Sequence, residues 1–377
     1  MRIVQLANFH TPTSGGLRVA VDTLRSGYLD AGHDCTLIVP AAIDGRAPNV
    51  WTLRSPKLPN GTGYRMILRR RAVLALLDEL RPDVLEVHDK VLQLWVWPWA
   101  RARGVPVVAW SHERLDQTLP LLLPFLPGGA VRRATAMLTR RTADRCDVLI
   151  ACSRYAAGEF GPYAPVRVVP LGVDLDTYRS PVSATATATA GSGRLRLVLA
   201  VRLSPEKRPD LALDALRVLV ARGVDAELTV LGHGQHHARL AARAAGLPVR
   251  FTGYLADRAA VAAELGAADV ALAPAPAETF GLAALEALAC GTPIVAHAGA
   301  APAEVVARHP DAGRIAVGEA VAFADAAVGL SAVPRATRRD AARRAAEAYP
   351  WTATITTMLN VHAELAGEAT AGRVVRA

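Results

Sequence analysis

Cysteine is scarce in this chain, and what there is lacks the spacing of a metal or redox site. Cys35, Cys146, Cys152 and Cys290 form no C-x-x-C pair, and no His/Cys cluster has zinc-ligand spacing. They read as reduced, buried thiols of a cytosolic protein. The chain also lacks any apolar run of about 18 residues, which excludes a membrane-spanning helix. The greasy stretch Leu119–Leu126 is short and broken by Pro120 and Pro124. The opening Met1-Arg-Ile-Val-Gln-Leu-Ala-Asn8 reads as a strand, not a signal peptide. No G-x-G-x-x-G fingerprint with an acidic ribose partner is found, which argues against a dinucleotide dehydrogenase. No D-x-D sits at a strand end in a phosphate-binding context. The basic residues are spread out and no nucleic-acid-binding module is present, so nucleic acid is not expected as a partner.

What is present suits a large globular protein. At 377 residues the chain exceeds what one core usually supports, and two domains are expected. Hydrophobic residues make up 51% and charged residues 20%, so a sizeable core is available. The net charge of +9 favours an anionic partner such as a phosphorylated substrate or a lipid headgroup. Strand-like runs at Ile3–Ala7, Cys35–Val39, Val84–Val87, Val105–Ala109, Val148–Ala151 and Val166–Val169 alternate with helical stretches. The first of those helices carries Leu17, Val21, Leu24 and Tyr28 on one face and is stopped by Gly32. Ser180–Arg194, SPVSATATATAGSGR, has almost nothing to bury and reads as a flexible linker. A second series follows, with strands at Leu195–Ala200, Glu227–Leu231, Val249–Thr252, Val270–Pro274 and Ile294–Ala296. Its helices are expected at Pro209–Arg222, His237–Ala245, Ala259–Leu265, Gly281–Ala289 and Ala301–Arg308. Alternating β and α segments predict parallel sheets covered on both faces. The Ala/Arg-rich tail from Ala336 to Glu364 should be helical, fraying after about Gly367.

Ligands of open parallel sheets bind beyond the carboxyl ends of the strands, so the residues there are the candidates for chemistry. Gly15-Gly16, at a helix start after the first strand, lets backbone N–H groups approach a phosphate or sugar, or forms a plain tight turn. His112, after the fourth strand, can donate to a substrate hydroxyl or serve as a cap. Asp89 can orient an acceptor hydroxyl or, the favoured alternative, cap the next helix. Arg202 and Lys207 share one loop and can neutralise a diphosphate, the guanidinium as a fork and the ammonium as a point charge. The most informative segment is Glu278-Thr-Phe280-Gly281-Leu282-Ala-Ala-Leu-Glu286. Glu278 lies in a loop after a strand, and Glu286 lies in a helix apolar nearly all round. A carboxylate there must be paired or hydrogen-bonded. A ribose diol suits it; a buried Arg or Lys is the alternative. Gly281 opens the helix, where free N–H groups can meet phosphate or sugar.

The E-x7-E pattern of Glu278 and Glu286 with Phe280-Gly281-Leu282, supported by Arg202…Lys207 and Gly15-Gly16, resembles the retaining family 4 glycosyltransferases. The resemblance implies the GT-B fold: α/β, two Rossmann-like domains facing across a cleft. It places an acceptor-side domain at 1–179, a linker at 180–194 and a nucleotide-sugar domain at 195–349, with a helix at about 350–366 packing back on the first domain. The segments Ser14-Gly-Gly-Leu-Arg, Ser111-His-Glu-Arg-Leu-Asp116, Val169-Pro-Leu-Gly-Val-Asp-Leu175 and Arg202-Leu-Ser-Pro-Glu-Lys207 are similar to the GDP-mannose-dependent phosphatidylinositol mannoside mannosyltransferases within that family. The implied donor is GDP-mannose, the implied acceptor a lipid or glycolipid, and no metal or other cofactor is implied. Carried over by position, Gly15 and Gly16 border the sugar diphosphate, and His112 contacts the transferred sugar. Arg202 and Lys207 hold the diphosphate, Glu278 the sugar hydroxyls and Glu286 the ribose. Phe280, Gly281 and Leu282 complete the donor-binding segment. Two positions depart from the family pattern: Val201 where glycine often precedes Arg-Leu, and Gly232-His-Gly234-Gln235 in place of Gly-x-Gly-Pro.

On the acceptor side, Trp95, Trp97, Trp99 and Trp110, with Arg132, Arg133, Arg140, Arg141 and Arg145 after the apolar Leu119–Leu126, suit peripheral contact with an anionic membrane. Core tryptophans and a solvated helix face are the alternative. The expected location is cytoplasmic, at the inner face of the plasma membrane. Rival readings are a family 4 transferase for another sugar nucleotide or acceptor, a non-catalytic sugar-nucleotide-binding protein, and a GT-B epimerase.

Overall fold

The computed structural model of the chain describes residues 1–11, 15–58, 63–122, 127–179 and 193–374. It divides into two compact units, one made of Met1–Pro170 with Trp351–Ala377 and the other of Leu171–Pro350. The division falls at Pro170, so residues 171–179 group with the second unit rather than with the first domain of the sequence reading. Most of the proposed linker, residues 180–192, lies outside the described residues.

The first unit is built on strands β1 (Arg2–Leu6), β2 (Asp34–Ala41), β3 (Gly45–Ala47), β4 (Val50–Arg54), β5 (Val84–Val87), β6 (Val107–Ser111), β7 (Val148–Ala151) and β8 (Arg167–Val168). They form one sheet in the order β3-β4-β2-β1-β5-β6-β7-β8. Every ladder is parallel except β3 with β4. Helices α1 (Gly16–Asp30), α2 (Arg70–Leu80), α3 (Lys90–Arg103), α4 (Leu115–Leu122), α5 (Gly128–Ala143) and α6 (Arg154–Ala157) connect them. The central strands are buried along their length, as a sheet covered on both faces requires. The sequence reading missed β3 and β4. They are short strands, β3 exposed throughout and β4 mostly half-buried, joined through Asn49 in the left-handed region (φ 57), so neither has the buried apolar run of the central strands. Helix α1 buries Ala20, Val21, Leu24 and Tyr28, and Gly32 at φ 81 turns the chain out of it.

The second unit carries β9 (Leu195–Ala200), β10 (Ala226–Leu231), β11 (Val249–Gly253), β12 (Val270–Ala273), β13 (Ile294–His297) and β14 (Gly313–Ala316), in the order β11-β10-β9-β12-β13-β14, all parallel. Around them lie α7 (Pro209–Ala221), α8 (His237–Arg243), α9 (Arg258–Ala267), α10 (Leu282–Ala289), α11 (Pro302–Arg308), α12 (Ala320–Ser331) and α13 (Arg335–Glu347). Leu197, Leu199, Leu213, Leu216, Val230 and Phe323 anchor its core. Each fully buried aliphatic side chain contributes roughly 1.5–3 kcal/mol. Strand β14 was also unanticipated, because its Gly-Arg-Ile-Ala sequence gives little strand signal; Gly313 is needed where a Cβ would lie 2.5 Å from the Ile294 carbonyl oxygen.

The C-terminal region differs from the single helical tail expected. Pro350 ends that continuity: α13 stops at Glu347 and α14 (Trp351–Val374) begins after the proline. Helix α14 belongs to the first unit and runs past Gly367 to Val374. Gly27 of α1 admits it closely, since a Cβ there would meet Ile355 Cδ1 at 2.3 Å.

In both sheets the strand order reverses beside the first strand, between β1 and β5 and between β9 and β12. Such switch points leave a crevice beyond the strand ends in which ligands bind. Asn8 and Asp89 bridge the first: Asn8 N donates to Asp89 Oδ2 at 3.1 Å. Arg202, Lys207 and Glu278 all follow strands at the second.

Candidate functional site

In the second unit the chain after β9 turns through Pro205–Lys207, a single 3-10 turn that presents Lys207 toward the loop after β12. There Lys207 Nζ donates to Glu278 Oε2 at 2.6 Å, both side chains about a quarter exposed. Arg202 is not part of that pair. Its NH2 donates to Glu206 Oε1 at 2.7 Å, and its Nε lies 3.3 Å from Ser204 Oγ. The structure therefore joins Lys207 to Glu278 and commits Arg202 locally. Two glycines fix this loop from the side. Cβ atoms at Gly232 and Gly234 would lie 2.1 Å and 2.4 Å from the Val201 and Leu203 carbonyl oxygens. Gly232 and Gly234 thus bring the β10–α8 loop against the Arg202 loop, whatever follows them in sequence.

Gly281 precedes the first residue of α10 at φ 89, and a Cβ on it would stand 2.6 Å from Pro302 Cγ. Only glycine fits there, and as the N-cap residue it offers no side chain to the helix start. Leu282 is the first residue of the helix, one later than expected. Phe280 is buried and packs edge-on against Tyr349, centroids 6.3 Å apart, so its contribution is to packing. Glu286 sits on the second turn of α10, half-buried, and accepts a hydrogen bond from the Tyr178 hydroxyl. Burial pushes its carboxyl up to about 7, against the pull of Tyr178 and the Arg258 charge. Tyr178 is pushed well above the usual phenol range by its own burial and by Glu286. Tyr178 is in turn set by Arg343, which donates to the carbonyl oxygens of Tyr178 (2.8 Å) and Ala289 (2.9 Å). Arg339 donates to the Cys290 carbonyl at 2.9 Å, so α13 supplies the cations at the carboxyl end of α10.

In the first unit, Gly15 precedes α1 and Gly16 begins it, with no side-chain cap and no acidic residue in the first turn. Among the described residues, none would lie within 4 Å of a Cβ on Gly15. Ser14 lies outside the described residues. His112, just past β6, is half-buried and lies 2.9 Å from His88 Nδ1 through its own Nε2. Burial, then the neighbouring His88, holds its imidazole well below the usual range, so it is neutral at pH 7. Its ring stacks on Trp110, the planes 8° apart. Asp89 caps α3 by accepting from Val91 N and Leu92 N. Behind His88 lies Glu86, fully buried. Gln5 and Tyr28 donate to it at 3.0 Å each, and the Nε2 atoms of His88 and His362 approach its two oxygens at 2.8 and 2.9 Å. Burial would raise this carboxyl, but the two imidazoles outweigh it and hold it well below its ordinary range.

The tryptophans are core residues. Trp99 and Trp110 are buried, and Trp95 and Trp97 pack against the same cluster as Val96 and Ala100. They do not form the surface that the membrane reading needed. The arginines are exposed: α5 buries Val131, Thr135, Thr139 and Thr142 and exposes Arg132, Arg133, Met137, Arg140 and Arg141, with Arg145 half-buried beyond its end. The adjoining residues 123–126 of the apolar stretch lie outside the described residues. Among those described, no helix is long and apolar enough to cross a membrane. No group of three or more His, Cys, Asp or Glu among them could hold a metal ion. No disulfide joins the four cysteines, three of which are buried.

Sequence reasoning missed Tyr178, Glu206 and His88 as partners. Glu206 could have been found, since an i,i+4 Arg–Glu spacing invites an ion pair. Tyr178 could not, because it is far from its carboxylate Glu286 along the chain, with the whole run of β9 to β12 between them.

The family model described as Glycosyltransferase Family 4 matches residues 14–177, and that described as Glycosyl transferases group 1 matches residues 194–332. The chain is 41% identical over 368 residues, 95% of each protein, to a GDP-mannose-dependent alpha-(1-6)-phosphatidylinositol dimannoside mannosyltransferase of Mycobacterium tuberculosis. It is 27% identical over 310 residues to a phosphatidyl-myo-inositol mannosyltransferase of the same species, covering 78% of this chain and 77% of the relative. Among solved structures it is similar to sucrose-phosphate synthase from Thermosynechococcus elongatus, with TM-score 0.77 and 19% identity over 97% of this chain and 98% of the other.

Proposed function

The chain belongs to the family 4 glycosyltransferases of GT-B fold, and from that premise we propose that it transfers mannose from GDP-mannose to a phosphatidylinositol mannoside, forming an α-1,6 linkage with retention of configuration. The observation that carries this reading is the 41% identity maintained over 95% of the chain.

The donor-side roles fall to residues of the second unit. Lys207 and Arg202 neutralise the diphosphate as negative charge develops on it, which lowers the barrier electrostatically. Glu278, held by Lys207, accepts hydroxyls of the sugar. Glu286 accepts the ribose hydroxyls on the side that Tyr178 leaves open. The N–H groups at Gly281 and Leu282 face the anion, with Phe280 fixing the segment. In the first unit, Gly15 and Gly16 border the diphosphate and His112 serves the transferred sugar. The bond between the sugar's anomeric carbon and the phosphate oxygen breaks while the acceptor oxygen bonds to that carbon on the same face. The acceptor's proton passes to the departing phosphate. No enzymic nucleophile and no metal take part; the two cations do the work of a divalent ion. The exposed arginines of α5 bring the protein to anionic lipid at the inner face of the membrane, where the acceptor lies.

The test is to incubate the purified protein with GDP-mannose, UDP-glucose or ADP-glucose and vesicles containing phosphatidylinositol dimannoside, then analyse products by mass and linkage. The expected product is a single added α-1,6 mannose from GDP-mannose alone. Transfer from another donor, or donor hydrolysis without transfer, would overturn the assignment.

A further inference from the structure

Two buried charges of the first unit take no part in the roles above. Lys90 and Glu159 pair at 2.8 Å with side chains only 6% and 1% exposed. Desolvation offsets most of the attraction in such a pair, so its presence says little about stability and more about what its remaining hydrogen bonds hold. They hold one loop. Lys90 Nζ donates to the Glu113 carbonyl at 3.0 Å, and Glu159 Oε1 accepts from Leu115 N at 3.2 Å. These backbone positions lie on either side of Arg114, immediately after His112. The same Glu159 oxygen accepts from Thr139 on the buried face of α5 at 3.0 Å. The Phe160 ring lies 5.1 Å from the ammonium and closes it off from water. Arg114 adds a third tie, donating to the Tyr155 carbonyl at 2.9 Å.

We infer that Lys90 and Glu159 are positioning residues for His112, fixing from the backbone side a ring that His88 fixes at its edge. The inference rests on the role given to His112. The two charges come from different places, Lys90 at the start of α3 and Glu159 beyond α6, and both converge on a loop that has no sheet hydrogen bonds of its own. Without them His112 keeps its neighbour His88 but loses the register of the chain that carries it. A displacement of about 1 Å in a substrate-positioning group reduces turnover by about 100-fold. Through Thr139 the same carboxylate ties the loop to the arginine-bearing helix.

The experiment compares Lys90→Met/Glu159→Met, which removes both charges and leaves neither unpaired, with Lys90→Arg, with His112→Ala and with the triple variant. The expected result for the double variant is an unchanged GDP affinity, since the donor is gripped by the other unit, and a kcat lowered about 10–100-fold. Lys90→Arg restores most of the turnover. In the His112→Ala background the double substitution costs less than about twofold more, because it acts through a ring already gone. Wild-type turnover in the double variant, or the same fold-loss with and without His112, overturns the inference. Full activity of His112→Ala would instead remove the role of His112, and this inference with it. Should the double variant not fold, Leu115→Pro, compared with Leu115→Ala to account for the lost side chain, deletes the N–H at the start of α4, where proline is tolerated. The same non-additive loss of kcat is expected, and unchanged turnover overturns the inference.

Discussion

Lys207 Nζ and Glu278 Oε2 meet at 2.6 Å although 71 residues separate them in the chain. The pair links the loops after β9 and β12, the two strands that flank the switch point of the second sheet. An ammonium has three donors, so the bond to Glu278 leaves it capacity for the diphosphate role proposed above. Replacing Lys207 by Ala should lower kcat by about 100–1,000-fold, the loss typical of one electrostatic donor in an active site. Both side chains are partly solvated, so the melting temperature should change little. Turnover near the wild-type level, with normal folding, would remove Lys207 from the diphosphate site.

The Glu286 carboxyl titrates near pH 7 because burial disfavours its charge. GDP binding by the wild type should therefore weaken as the pH falls from 8 to 6, and Glu286→Gln should be weak and flat over that window. Tyr178→Phe removes a hydrogen bond that favours the ionised form, so the inflection should move to higher pH. Isothermal calorimetry across the pH series reads all three.

The same shift has a stability consequence whose sign is fixed. The folded-state value lies above that of an exposed glutamate, so the folded protein binds the proton more tightly than the unfolded chain. Stability from this group is present below about pH 4.5 and is lost as the pH rises through about 7. Glu286→Gln should accordingly melt roughly 2–4 °C above the wild type at pH 8, with the difference vanishing near pH 5. A melting temperature lower than wild type at pH 8 would contradict the burial argument.

Gly281 combines φ 89 with a neighbour 2.6 Å from where a Cβ would stand. Gly281→Ala should destabilise the second unit by about 1–3 kcal/mol and weaken donor binding, because the start of α10 must shift. Gly15→Ala, with no described residue within 4 Å of the added Cβ, should leave stability within about 0.5 kcal/mol of the wild type. Parallel thermal melts with and without GDP distinguish the two.

Arg132, Arg133, Arg140 and Arg141 project from one helix with their guanidinium groups in solvent. Each should add about 1 kcal/mol to binding an anionic surface, falling with salt. Changing all four to Gln should abolish co-sedimentation with phosphatidylinositol-containing vesicles at low salt while leaving GDP affinity unchanged. Undiminished vesicle binding would place the membrane contact elsewhere.

The parallel strands of both units were legible because each is an apolar run between helical stretches, and Gly32 announced the end of α1 through the left-handed turn it makes. The E-x7-E segment was legible because a carboxylate on an apolar helix demands a partner. Its actual partner was not, since Tyr178 reaches Glu286 only through the packing of a loop far away in sequence. Pairing was hidden in the same way at Lys207, whose carboxylate partner Glu278 comes from a distant loop, while its loop neighbour Arg202 turns to Glu206. The tryptophans misled because amphipathic aromatics suit a membrane edge and a core equally well, and only packing decides. The edge strands β3 and β14, and β4 beside β3, escaped because exposure erases the hydrophobic pattern that marks a strand.

The chain leaves the first unit at Pro170 and returns to it at Trp351. His362, one of the groups that compensates the buried Glu86 charge, rides on that returning helix. During synthesis the ribosome therefore releases every residue of the second unit before the first can be sealed. The threading sets the order of synthesis: the lobe bearing His112 can meet its buried Glu86 with His362 only after every strand of the second lobe has been made.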